Sequence, residues 1–68
     1  MNLLESYMYF ILRPIENNLK ELYKHYYSNK LIDRLNRDGY KELIDKYEKV
    51  YLEKLNDYDK IMKDYYLD

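Results

Sequence analysis

Tyrosine dominates the chemistry available to this sequence, with eleven tyrosines among 68 residues. A tyrosine ring buries a large apolar area while its hydroxyl seeks water or a partner. It also binds partners at low entropic cost, because only two side-chain torsions are frozen. Tyr26 and Tyr27 are adjacent, about 100° apart on a helix, so at least one approaches the surface. Tyr7 and Tyr9 are about 200° apart and do not share a face. Around them, Leu3, Leu4, Tyr7, Phe10 and Ile11 form one stripe, and Met8, Tyr9 and Leu12 continue round the other side. A helix apolar over most of its circumference is buried centrally or in a partner. Residues 2–12 are therefore a central core helix, a homodimer seam or a partner-docking helix; a membrane-surface helix would carry a basic polar face, which they lack.

Residues 20–37 hold Lys20, Lys24, Lys30, Arg34 and Arg37 with His25, interleaved with Tyr23, Tyr26 and Tyr27. Lysines on phosphates and tyrosines stacked on bases would make this a modest nucleic-acid surface. A solvated helical face has the same composition, and nucleic acid is the least favoured partner. Glu21 and His25 stand at a spacing that helix-borne metal ligands use, but two groups do not fill a coordination sphere, and the spacing is equally that of an intrahelical ion pair. Glu48, Glu53, Asp57 and Asp59 alternate with lysines, and Glu42/Lys46 and Asp45/Lys49 are i, i+4 pairs that support a helix. Catalytic carboxylates need a cleft that shifts a pKa, which one exposed helical face does not supply. No Gly-rich phosphate loop or nucleophile–base constellation is present. The expectation is a non-enzymatic chain with no cofactor and no metal.

The elements that must position these residues are bounded by length and composition. A chain of 68 residues holds one domain, spanning 1–68, and so small a domain is marginally stable unless disulfides, a metal, self-association or very regular packing help it. Cysteine is absent, which removes disulfides and fits an intracellular, cytoplasmic setting. Net charge is −1, without the field of a general nucleic-acid binder. Ala, Thr, Gln and Trp are missing while Lys, Asn, Ile, Asp and Tyr abound. Their codons are AT-rich, so the skew suggests an AT-rich bacterium, phage or virus, and with it the cytoplasm of an infected host cell. The longest apolar run, Leu3 to Leu12, falls short of the ~20 residues that span a bilayer and lacks the basic flank of a signal peptide.

The apolar periods are helical throughout, which predicts an all-α fold of three to four helices. The first covers about 2–12. Pro14 suits the first turn of a second helix over 14–28, carrying Ile15, Leu19, Leu22 and Tyr26. The register slips after Tyr27, and Ser28 or Asn29 can cap a third helix over 30–38; one straight helix from Pro14 to Arg37 is the competing reading. Asp38-Gly39 then ends the segment, with Arg34 and Arg37 favouring the last carbonyls. From Tyr40, the residues Tyr40, Ile44, Tyr47, Tyr51, Lys54, Tyr58, Ile61 and Tyr65 alternate spacings of four and three, flanked by Leu43, Val50, Leu55, Met62 and Tyr66. These positions fall within an arc of roughly 160° on a rod about 40 Å long over 40–66, and Leu52 alone lies clearly outside it. Lys54 sits inside the stripe, as a snorkelling stem or as a residue that fixes register.

The expected function is protein binding through Tyr-rich helical surface: a regulator or inhibitor that occludes a protein partner, with Tyr7, Met8, Tyr9, Phe10, Tyr26, Tyr27, Tyr47, Tyr51, Lys54 and Tyr58 as its interface. A self-assembling homodimer is the alternative. A nucleic-acid accessory protein using Lys20, Lys24, Lys30, Arg34 and Arg37 is the third.

Overall fold

Asn2 starts the first helix: its side-chain Oδ1 accepts the Glu5 N–H at 2.8 Å, and Glu5 places a carboxylate in the positive first turn. In the computed structural model, which describes residues 2–66, α1 (Leu3–Tyr7) passes into a π-helical turn (Met8–Leu12) and then into α2 (Arg13–Tyr26). The backbone stays in the right-handed helical region across both junctions, and the Arg13 N–H bonds back to Met8 O. The expected break between residues 12 and 14 is therefore absent. A proline inside a helix lacks one donor and its ring crowds the carbonyl four residues back. The wider π turn directly before Pro14 places that carbonyl in a looser loop of the ladder, so the helix survives.

Tyr27 ends α2 in a turn, and Ser28 and Asn29 form the expected break. The third helix is shorter than 30–38: α3 is Leu31–Leu35. Ser28 Oγ accepts the Lys30 N–H at 3.1 Å, so Ser28 steadies the turn while Lys30 occupies the cap position. Asn36, not Asp38-Gly39, separates α3 from α4 (Arg37–Tyr66). Its Nδ2 donates to Ile32 O at 2.8 Å, and its own carbonyl accepts the Tyr40 N–H at 3.1 Å, so one residue closes one helix and opens the next. Gly39 lies inside α4 with helical backbone rather than in the left-handed region expected of it. Arg37 likewise opens a helix instead of closing one. The all-α class and the long C-terminal helix are as expected; the helix reaches Tyr66, whose side-chain place in the apolar arc lies outside the described residues.

Residues 3–26 and α4 run antiparallel. Tyr7 meets Tyr58 with ring centroids 6.0 Å apart, the Tyr51 hydroxyl donates to Glu16 Oε1 at 2.6 Å, and the Tyr23 hydroxyl donates to Glu48. Each helix thus supplies one tyrosine and one glutamate to a reciprocal pair that fixes the register. The result is a long hairpin with α3 at its turn, measuring 54 × 20 × 12 Å. Its radius of gyration is 15.5 Å, against about 11 Å for a compact chain of this length. Two helices side by side make one layer, whereas stable domains pack two. The buried apolar side chains are accordingly few: Leu4, Leu12 and Ile44 among the described residues.

Candidate functional site

The hairpin turn is built around one carboxylate. Asp33, in the middle of α3, is buried. Its Oδ1 accepts from the Tyr40 hydroxyl at 3.1 Å and lies 3.1 Å from His25 Nδ1. The His25 and Tyr40 rings stack with centroids 5.5 Å apart. A buried carboxylate is costly unless its lone pairs are satisfied, and here α2, the turn and α4 each contribute a partner. Hydrogen bonding from Ser28 is the largest influence and holds the Asp33 carboxyl below its ordinary value; burial pushes it up, while Tyr40 and His25 add to the lowering. The same contact raises the Tyr40 phenol, behind the larger effect of burial.

Anchoring Asp33 turns α3 inside out. At about 100° per residue, Leu31 and Leu35 lie roughly 160° from Asp33 and Ile32 about 100° from it. All three therefore face outward: Leu31 is 69%, Ile32 63% and Leu35 73% exposed, while Asp33 is 5% exposed. Short helices normally bury their aliphatics and solvate their charges, and this one does the reverse. Tyr27, in the turn that leads to α3, is also exposed, stacks on Tyr23 with centroids 6.2 Å apart and meets Tyr26 edge-on at 5.0 Å. Lys30 and Arg34 flank the aliphatics along α3 and are exposed.

The residues expected to form an interface are spread over the turn, the opposite end and the middle of the hairpin. Tyr26 and Tyr27 belong to the turn. Tyr7, Met8 and Tyr58 are half-buried where α1 meets α4, and the Tyr7 phenol is raised by burial and then by the Asp57 charge. Tyr9 and Phe10 are exposed, with the Arg13 guanidinium 5.7 Å from the Tyr9 ring centroid. The first helix is thus not buried on all sides. Tyr47, Tyr51 and Lys54 are half-buried along α4. Tyr51 is spent on Glu16, and its phenol is raised first by that hydrogen bond and then by burial.

Of the candidate nucleic-acid residues, Lys20, Lys24, Lys30 and Arg34 are exposed. Arg37 is tied into the turn, donating to Ser28 O at 3.4 Å with its guanidinium 6.0 Å from the Tyr26 ring centroid. Tyr23 stacks on Tyr27, and Tyr26 meets Tyr27 edge-on, so part of each aromatic surface is taken up within the cluster while Tyr27 stays exposed. His25 pairs with Asp33 rather than with Glu21. Sequence reasoning missed Asp33 as an anchor and Leu31, Ile32 and Leu35 as a surface. The signal present was the register slip, which already set these three away from the Leu19/Leu22 face.

No helix among the described residues is long and apolar enough to cross a membrane. Comparison with known proteins finds no matching family, no matching curated protein and no matching solved structure. The functional reading rests on the geometry of the hairpin itself.

Proposed function

We propose that this chain is a non-enzymatic protein-binding module that regulates or inhibits a protein partner by occluding it, with the hairpin turn as its contact surface. The observation that carries this reading is the inverted α3, which buries Asp33 and exposes Leu31, Ile32 and Leu35. Exposed aliphatics held on a hydrogen-bonded frame give a partner apolar area at little ordering cost. Tyr27 adds the aromatic anchor that interface centres favour. With Lys30 and Arg34 alongside, the complementary surface is an apolar groove with an acidic rim on a protein. An α-helical segment presenting apolar positions to a groove is a familiar mode of recognition.

The test is affinity capture with three immobilised chains: the unaltered protein, a Leu31→Glu/Leu35→Glu double variant, and a Leu52→Glu control altered on α4 away from the turn. A protein retained by the first and third and lost from the second supports the reading. Equal retention on all three rules it out. Single-stranded nucleic acid at low salt is the comparison ligand, and binding there that outlasts the double substitution would favour the basic-residue reading instead. The elongated single layer favours a second reading, self-association, through a different face.

A further inference from the structure

The two flat sides of the hairpin differ. At about 100° per residue, the side-chain directions of the antiparallel helices place Ile11, Ile15 and Leu22 on the same side as Leu43, Val50 and Ile61. A groove between the helices, where Asn18 and Leu22 face Leu43 and Tyr47, lies on that side, and a second apolar hollow between Leu3 and Ile61 continues it. The opposite side carries Arg13, Lys20, Lys41, Asp45 and Asp59, with Tyr9 exposed beside Arg13 and Leu52 the exposed aliphatic on α4. The first side is therefore the more apolar, with Asn18, Glu21, Lys54 and Asp64 as its polar members, and the second is mainly charged.

We propose that the apolar side is covered by a second copy of this chain, giving a four-helix bundle in which each protomer supplies one two-helix layer. The dimensions carry the choice of occupant. A face within a 54 × 20 Å outline offers at most about 1,000 Å², and a stable isologous interface needs about 800 Å² from each partner. An identical hairpin matches the face in length and width, and stacking the two converts one layer into the two-layer arrangement that encloses a core. Net charge of −1 sets no appreciable repulsion between copies. Lys54 is half-buried on this side, and a lysine at such a position can keep its stem on apolar surface while its ammonium reaches the rim. The reading is independent of the turn: α3 projects from the end of the hairpin and stays accessible in the dimer.

Sedimentation equilibrium of the full chain tests it, alongside Leu43→Glu and the opposite-side control Leu52→Glu, with helicity followed by circular dichroism. The expected result is a mass near twice 8.6 kDa for the unaltered chain and for Leu52→Glu, and a helical monomer for Leu43→Glu. Should Leu43→Glu unfold, isotope-filtered NOEs in a mixture of labelled and unlabelled wild-type chains decide the matter without a variant. Contacts between copies at Ile15, Val50 and Ile61 methyls are expected. A monomeric wild type at about 100 μM, above the roughly micromolar-to-picomolar range of interfaces this size, would overturn the proposal, as would intermolecular contacts confined to Leu31, Ile32 and Leu35. A Leu31→Glu/Leu35→Glu chain that stays dimeric but loses its captured protein separates this surface from the turn.

Discussion

Leu12 and Phe10 sit two residues apart in the same π-helical turn, and the fold assigns them opposite energetic roles. Leu12 is 0% exposed, whereas Phe10 is 71% exposed. Replacing a fully buried leucine by alanine costs the transfer free energy of the lost carbons and that of the cavity left behind, together about 3 kcal/mol. A chain of this size gains roughly 0.14 kcal/mol/K of entropy on unfolding, so Leu12→Ala lowers the melting temperature by about 20 °C. With three buried apolar side chains among the described residues, total stability stands near the low end of the usual range, about 5 kcal/mol, and most of it is lost. Phe10→Ala removes a larger side chain but almost no buried area, and alanine is the better helix former. Its effect is expected within about 0.5 kcal/mol, a shift of a few degrees at most. Thermal melts of both variants by circular dichroism at 222 nm, at matched protein concentration, make the comparison. If Phe10→Ala costs as much as Leu12→Ala, the hairpin packing described above is wrong.

Gly39 lies in the first turn of α4 with helical backbone, and a Cβ added there meets nothing within 4 Å. Gly39→Ala is therefore expected to stabilise the chain by about 0.4–1 kcal/mol, measured by urea unfolding with an unchanged m-value. The Asp33 carboxyl titrates below its ordinary 3.8, so its contribution is fully present above that pH and is lost as pH falls through the folded value. Melts between about pH 2 and 6 should steepen in the acid limb for the unaltered chain and less so for Asp33→Asn. Tyr7, Tyr40 and Tyr51 are all raised from 10.0; the folded chain keeps phenolic protons that the unfolded chain releases, so stability falls as pH rises above that value. Tyr51→Phe removes the bond to Glu16, costs about 1 kcal/mol and makes alkaline unfolding, followed by phenolate absorbance, less steep.

The helices were legible because their apolar spacing is regular: α4 shows its arc from Tyr40 onward, and Leu52 stands outside it in the sequence as in the fold. The break at Ser28-Asn29 showed as a slip of register. The continuity across Pro14 was hidden, because a π turn is a property of backbone accommodation and leaves no mark in side-chain periodicity. Gly39 misled for the converse reason: glycine suits a helix end, but Asn36 had already supplied both cap and restart. Asp33 could not be read from spacing, since its partners His25 and Tyr40 lie on other helices. The outward aliphatics of α3 follow from that anchor, so they were hidden with it. Glu48 reads from its spacing as part of a solvated, lysine-paired face, and nothing in the spacing shows that the fold places the Tyr23 hydroxyl against it or the Tyr51 hydroxyl against Glu16.

The inverted α3 is tested most directly by solvent paramagnetic relaxation of methyl groups in the unaltered chain, using a soluble gadolinium chelate. Methyls of Leu31, Ile32 and Leu35 are predicted to relax fast, at rates close to that of Leu52, while those of Leu4, Leu12 and Ile44 relax slowly. Shielding of the three α3 residues to the level of Leu12 would mean that they are core and that Asp33 faces water, contradicting the proposed contact surface.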